Sequence, residues 1–142
     1  MADTRRQILQ CVVISPRGTL VNCSAASLVF PAHDGYVGVL RDHTPMFCRL
    51  GLGLMRIAPA PTSDVPSPTN ITLLIDDGFA LISSNLVTII AGQAISRPHV
   101  RDEKIRQMAE KIRKGLADGL CPADQRQHET NKASLLETLL AS

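Results

Sequence analysis

Pro31-Ala-His-Asp-Gly-Tyr-Val-Gly-Val-Leu-Arg-Asp-His-Thr-Pro45 is the stretch that decides the fold. Asp34-Gly35 predicts a tight hairpin turn, because a two-residue primed turn needs positive φ and glycine supplies it without a steric penalty. Tyr36, Val37, Val39 and Leu40 predict a short strand around Gly38. A glycine inside a strand packs nothing, so Gly38 is expected where another backbone comes close. The strand should stop at Arg41-Asp42-His43-Thr44-Pro45, since Pro45 removes a ladder donor and biases Thr44 toward extended geometry. His43 at this corner reads as a residue whose ring nitrogen bonds a backbone carbonyl.

On either side of this stretch, short β-branched runs recur at sandwich-like spacing with turn residues between them. The predicted strands are Ile8–Ser15, Thr19–Cys23, Ser27–Phe30, Tyr36–Leu40, Met46–Leu50, Leu52–Ala58, Ile71–Ile75, Phe79–Ser83 and Leu86–Ala91. Asp76-Asp77-Gly78 and Ser84-Asn85 read as the turns that join the last three. In Leu52–Ala58, Leu52, Leu54 and Arg56 face opposite to Gly53, Met55 and Ile57. The alternation predicts an antiparallel β-sandwich or flattened barrel with one face of each strand inside. Pro59, Pro61, Pro66 and Pro68 exclude a ladder between Ala58 and Asn70, so that segment is an exposed, extended loop.

Beyond Gly92 the pattern changes. Residues 92–100 read as a link, broken by Pro98, and Arg101–Asp118 as a helix with Ile105, Met108, Ile112 and Leu116 on one stripe. Asp102 and Glu103 suit the helix dipole in its first turn, and Asp102 with Arg106 and Glu110 with Lys114 stand four apart. Gly119 ends the helix, and Pro122 opens a second, Ala123–Leu140, apolar at Leu135, Leu136, Leu139 and Leu140. The fold class is therefore mainly β plus α: a sandwich domain over residues 1–96 and an antiparallel two-helix hairpin over 97–142. Neither short helix buries its stripe alone, so the hairpin must pack on itself, on the sandwich or on a partner, and few apolar contacts let it open.

Composition narrows the function classes. The chain has 142 residues and a net charge of +2, with no clustered basic face that would suit nucleic acid. The body to Ser96 carries six Arg against six Asp and no Lys or Glu, whereas the tail carries nine basic and seven acidic groups. Apolar runs are strand-sized, too short for a membrane-spanning helix. A polar start, Met1-Ala-Asp-Thr-Arg-Arg-Gln, followed at once by a strand pattern predicts neither a secretory signal nor a transit peptide, hence a soluble chain of cytosol or plastid. Cys11, Cys23, Cys48 and Cys121 stand apart, and His33, His43, His99 and His128 lack ligand spacing, so no metal site is expected. Cys11, Cys23 and Cys48 read as small buried hydrophobes on strands. No serine sits in a nucleophile elbow, and neither Gly35-Tyr-Val-Gly38 nor Gly51-Leu-Gly53 leads into a phosphate loop. Asp76-Asp77 is turn chemistry rather than a catalytic pair. No enzyme site is predicted.

The order of pieces carries a resemblance. Val13-Ile14-Ser15-Pro16 with Gly18, the 31–45 stretch with its acidic-Gly, apolar-Gly-apolar-Leu and His-x-Pro, Leu50-Gly51, Met55-Arg56-Ile57, Gly78-Phe79 and Asn85–Ala91 together resemble the epsilon subunit of the bacterial and chloroplast rotary ATP synthase, called delta in mitochondria. The resemblance spans most of residues 8–98. It implies a non-catalytic, central-stalk rotor subunit of a proton-translocating complex, joining the gamma subunit to the c-ring. The subunit would lie peripherally on the cytoplasmic face of the bacterial plasma membrane through that complex. It also implies contacts to gamma and the ring through Asp34, Gly35, Tyr36, Gly38, His43 and Pro45. Tyr36 stands where many members carry an acidic or polar contact, Arg41-Asp42 replace a common Pro-Gly, and Asp77-Gly78-Phe79 stand for Gly-Gly-Phe.

The tail corresponds to a regulatory hairpin that in some members extends into the alpha/beta head and blocks ATP hydrolysis. No cofactor is implied, apart from ATP as a regulatory ligand that some members bind through an aliphatic residue, Asp, two residues and Arg-Ala. Asp102 and Arg106 stand nearest that motif, with Arg101 in the aliphatic place and Arg106 four residues on rather than three, and an exposed helical ion pair explains both residues without a nucleotide. The alternative is a stand-alone β-sandwich binding module outside any rotary enzyme.

Overall fold

The computed structural model describes residues 8–96 and 101–141; residues 1–7 and Pro98 lie outside the described residues. Seven strands come first: β1 Leu9–Ser15, β2 Gly18–Ala32, β3 Gly35–Val39, β4 Met46–Arg49, β5 Leu52–Pro59, β6 Ile71–Ser83 and β7 Leu86–Ser96. Helices α1 Asp102–Ala117 and α2 Arg126–Ala141 follow, with a short 3-10 turn Ala123–Gln125 between them. Strands β1, β7, β6, β5 and β2 are hydrogen-bonded in that order and β2 pairs back to β1, closing a flattened ring, while β3 extends it from β2 and β4 from β6.

One pairing departs from the antiparallel expectation: β1 runs parallel to β7, Cys11 opposite Val87 and Val13 opposite Ile89. Parity demands it, because a closed ring with an odd number of strands cannot alternate direction at every step. Inside the ring lie Leu9, Cys11, Val13, Leu28, Phe30, Met55, Ile57, Leu73, Ile75, Ile82 and Ile89, all nearly or fully buried. At about 25 cal/mol per Å² of apolar surface removed from water, this interior is the main source of stability.

Two predicted breaks are not breaks. Thr19–Cys23 and Ser27–Phe30 are one strand, β2, irregular where Ala25 pairs with Pro59 and Ser27 with Ala58. Asp76-Asp77-Gly78 is a kink inside β6 rather than a turn: Asp76 pairs with Gln93, Gly78 with Ala91, and the intervening pair is skipped. Strand β7 accordingly runs on to Ser96, through residues expected to be linker.

The kink reverses which side of the strand faces inward. Before it, Leu73 and Ile75 point into the ring and Leu74 out; after it, Ala80 and Ile82 point in and Phe79 and Leu81 out. Backbone chemistry fixes its position. Asp77 has φ of 60° and Gly78 of 123°, and a Cβ at Gly78 would collide with the carbonyl oxygen of Ile90. Here, and not at Gly38, the expected close approach of backbones occurs; nothing lies within 4 Å of where a Gly38 Cβ would be.

Of the two hairpin turns, one is shifted by a residue and the other falls where expected. Ala32 pairs with Gly35, so the two turn residues are His33 and Asp34, with Gly35 (φ 140°) the first residue of β3. The primed turn is Ser84-Asn85, both at positive φ (50° and 61°), as the right-handed twist of the β6–β7 ribbon favours. Pro59, expected outside any ladder, ends β5 opposite Ala25, whereas residues 61–67 are exposed as expected and carry a small turn in which Val65 N–H donates to Thr62 Oγ1 at 3.0 Å.

The helices form the expected hairpin. Helix α1 ends in a Schellman arrangement, with Gly119 at φ 69°, Gly119 N–H on Leu116 O and Leu120 N–H on Gly115 O. Its first turn is acidic, and Arg113 reaches across to Glu137 on α2 at 2.7 Å. Among the described residues no ion pair joins Glu110 to Lys114 or Arg106 to Asp102; exposed pairs at this spacing gain only about 0.3–0.5 kcal/mol. Helix α2 proper starts at Arg126, three residues later than expected, behind the 3-10 turn.

A second apolar cluster joins hairpin and ring. Ile105 and Ala109 of α1 and Leu136 and Leu139 of α2 pack on Leu54, Leu74 and Ile95, the outward residues of β5, β6 and β7, with Leu52, Met108, Ile112, Leu135 and Leu140 around them. Leu116 is half-buried at the far end of α1. The predicted opposition of Leu52 and Leu54 to Met55 and Ile57 is thus what lets one strand serve two cores.

Replacing Gly78 with Ala forces a Cβ onto the Ile90 carbonyl at a φ that L residues avoid. The loss of stability should exceed about 2 kcal/mol in urea unfolding, whereas Gly38→Ala, at an open position with ordinary φ, should change it by less than about 0.5 kcal/mol.

Candidate functional site

The residues expected to touch partners fall into two groups at opposite ends of β3 and β4. At one end, the His33-Asp34 turn is stitched to the β4–β5 corner by His33 N–H on Arg49 O (2.9 Å) and Gly51 N–H on Pro31 O (3.0 Å). That corner is tied in turn to the β6 kink by Leu50 N–H on Gly78 O (2.8 Å) and by Arg49 with Asp77 (3.4 Å). The backbone N–H of Gly78 and the Arg49 guanidinium together hold the Asp77 carboxyl below its usual range. Asp34, Gly35 and Tyr36 are exposed at this tip, and the Tyr36 hydroxyl accepts from Leu54 N–H at 3.4 Å. Tyr36 thus offers a packed, hydrogen-bonded surface rather than a charge.

At the other end, His43 and Pro45 sit in a corner braced by Asn85. Asp42 N–H donates to Asn85 Oδ1 at 2.7 Å, Asn85 Nδ2 donates to Asp42 Oδ1 at 3.2 Å, and Asn85 O accepts from Gln10 N–H at 2.9 Å. Asp42 holds φ at 61° within this brace. The His43 ring does bond a backbone carbonyl: Nδ1 lies 2.7 Å from Thr44 O. A carbonyl only accepts, so Nδ1 carries the proton. Gly38 lies between the two groups on the edge strand, exposed and with open space above it.

Between these ends lies a surface that the sequence did not single out. On the outer face of the β4–β6–β7 sheet, Phe47 is in register with Leu81, Phe79 with Ile90, and Leu86 closes the row beside the primed turn. All five side chains are exposed, Phe47 by 68% and Ile90 by 52%. Phe47 and Phe79 stack, ring centroids 5.6 Å apart and planes 11° from parallel. The half-buried Val12 and Ile14 of β1 continue the patch through their register with Thr88 and Ile90. A contiguous apolar face of this kind, flanked by a polar tip and a polar corner, marks a protein interaction surface. Its signal in the sequence was apolar residues at adjacent positions, Leu81-Ile82 and Ile89-Ile90, which are wanted only by a strand covered on both sides.

The comparisons with known proteins agree with this architecture. Residues 8–97 match the family model of the beta-sandwich domain of the ATP synthase delta/epsilon chain. The chain belongs to the ATP synthase delta/epsilon family. It is 31% identical over 108 residues to the chloroplast ATP synthase epsilon chain of Chlamydomonas reinhardtii, covering 76% of each chain. It is also 31% identical over 105 residues to the epsilon chain of Rhodopirellula baltica, covering 73% of this chain and 77% of that one. In fold it is similar to a chain of the Euglena gracilis mitochondrial ATP synthase structure containing OSCP, F1 and c-ring, with a TM-score of 0.65 at 17% identity over 95% of this chain and 81% of that one. The epsilon-type sandwich is the part the family model covers; the hairpin lies beyond it.

The tail residues Asp102 and Arg106 stand at the start of α1, the first half-buried and the second exposed. Among the described residues no helix is long and apolar enough to cross a membrane, and no three or more His, Cys, Asp or Glu gather as metal ligands. The thiols on strands are shielded rather than activated. Burial, helped by the neighbouring Cys23, pushes Cys11 up to about 12, and burial also raises Cys23 and Cys48, the latter with a contribution from Asp34. Alkylation by iodoacetamide at pH 8 should therefore spare Cys11 in the folded chain, at a rate about a thousandfold below that of an ordinary thiol, and reach it only on unfolding. Peptide mass mapping reads this directly.

Proposed function

We propose that this epsilon-type chain is a non-catalytic rotor subunit of a proton-translocating ATP synthase, in which the bare apolar face of β4, β6 and β7 seats the gamma subunit. The Asp34–Tyr36 tip, with Gly38 beside it, turns toward the polar loops of the c-ring, and the His43–Pro45 corner borders the gamma contact. The chain then joins the membrane only through the ring, which in a bacterium places it on the cytoplasmic face of the plasma membrane. The observation that carries this reading is the row Phe47, Phe79, Leu81, Leu86 and Ile90, left exposed by a family member whose other outward apolar face is covered by its own helices.

The exposed row makes a clean test, because its substitution does not disturb the interior. Phe47→Asp combined with Ile90→Asp should leave the circular dichroism and thermal midpoint of the free chain within a few degrees of wild type, yet weaken co-purification with gamma by at least about a hundredfold. Retention of gamma at wild-type strength would refute the assignment. Changes confined to Asp34 and Tyr36 should instead keep gamma bound and lower proton-coupled ATP synthesis in reconstituted membranes.

The hairpin is the regulatory part of this reading. Folded against β5–β7 it is out of the way; released, it reaches the alpha/beta head and restrains ATP hydrolysis. Removing residues 101–142 should raise hydrolysis by the assembled enzyme severalfold, and an unchanged rate would leave the hairpin a purely structural element. A regulatory ATP would enter at Asp102 and Arg106, and equilibrium dialysis of the full chain against ATP tests that separately.

A further inference from the structure

Where α2 crosses the sheet, the contact changes from apolar to ionic. Lys132 Nζ lies 2.8 Å from Asp76 Oδ2 and also donates to Gln93 Oε1, and His128 Nε2 stands 3.1 Å from Asp76 Oδ1. Both ends of the Lys132–Asp76 pair are largely withdrawn from water, their side chains 13% and 14% exposed. Asp76 comes from β6 one residue before the kink, Gln93 is its register partner on β7, and Lys132 and His128 come from one face of α2. Among the described residues this is the one cluster of ion pairs that joins hairpin to ring; Arg113–Glu137 joins only helix to helix.

We propose that Asp76 and Lys132 form a reversible latch that sets how much of the hairpin is docked, and that the pair is kept ionic so that the hairpin can leave. The regulatory reading above gives the latch its purpose, but docking itself can be measured without it. Taking two charges out of water costs more than an apolar pair of the same shape would, so an ionic contact under a helix holds it less firmly than packing alone. On release both groups regain hydration, which lowers the cost of undocking. Removing one partner is different, because the other stays withdrawn from water without its closest counter-charge, Asp76 keeping only His128 beside it and Lys132 only Gln93. The latch therefore predicts opposite signs: either single apolar substitution opens the hairpin, while the double one closes it.

Hydroxyl-radical footprinting of the full-length free chain separates these outcomes. Leu74 and Ile95 lie in the cluster shared with the hairpin, while Leu73 and Ile75 lie inside the ring and report unfolding. Lys132→Met and Asp76→Leu should each raise oxidation of Leu74 and Ile95 by roughly tenfold or more, with Leu73 and Ile75 unchanged, and the double variant should return it to the wild-type level or below. Singles that leave Leu74 protected, a double as reactive as either single, or equal exposure of Leu73 and Ile75 would each overturn the latch. If the singles undock the hairpin but the assembled enzyme hydrolyses ATP at its usual rate, the latch stands and the regulatory reading fails.

Discussion

The reversal of side-chain phase at Asp77-Gly78 is the constraint on which the rest of the molecule depends. A strand has two faces and a period of two, so a slip of one residue exchanges them. Strand β6 makes the same exchange midway through its kink, with its register against β7 unchanged: Leu74 is outward before the kink, Leu81 after it, and Leu73, Ile75, Ala80 and Ile82 all remain inside. The strand thereby keeps one continuous interior while presenting two separate outer apolar faces. The first is closed by α1 and α2; the second is bare. Asp76 lies on the boundary, outward like Leu74, and so meets α2.

What was legible in the sequence follows from the range of the forces involved. Strand existence is written in alternation within five to eight residues, and the hairpin helices in the three-and-four spacing of Ile105, Met108, Ile112 and Leu116, so both were foreseen. The Gly119 cap is local chemistry and was foreseen too. Asp-Asp-Gly, by contrast, has the same composition in a turn as in a kink. Whether the chain reverses there is decided by β7, which pairs with β6 on both sides of Asp77 and lies fifteen or so residues away. The same non-locality hid the parallel β1–β7 pair, since closure of a ring is a property of all its strands together.

The site was legible only in outline. The 31–45 stretch does hold exposed polar residues at a tip and a corner, and His43 bonds a carbonyl as expected. No distance between the two groups is written in the residues themselves, and β3 separates them by its whole length. Asn85, which braces the corner from 43 residues away, read only as turn chemistry. In the sequence Lys132 is one of two cations, with Arg126, ahead of the leucines of α2, and its partner Asp76 reads as half of a turn. Neither carries a local mark of the other. The apolar face was hidden because Leu81-Ile82 and Ile89-Ile90 read equally well as strands buried on both faces, and which side lacks a cover is decided by the packing of the helices elsewhere.

These features together separate what must be rigid from what must move. The surfaces proposed to meet partners are built on the closed ring, braced by backbone hydrogen bonds at Arg49–Gly51 and by Asn85. The regulatory role proposed for the hairpin requires a change of position at modest cost, and the hairpin rests on one small apolar cluster and one ionic cluster at Asp76. Had α2 met the sheet through leucine alone, docking would be tighter but harder to reverse. Had the bare face been polar, a partner would be held by screened surface charges rather than by desolvated aromatic anchors, and the grip would weaken with salt. The kink in β6 sets both arrangements, and it is held at a backbone with no room for a side chain, since a Cβ at Gly78 would meet the Ile90 carbonyl oxygen.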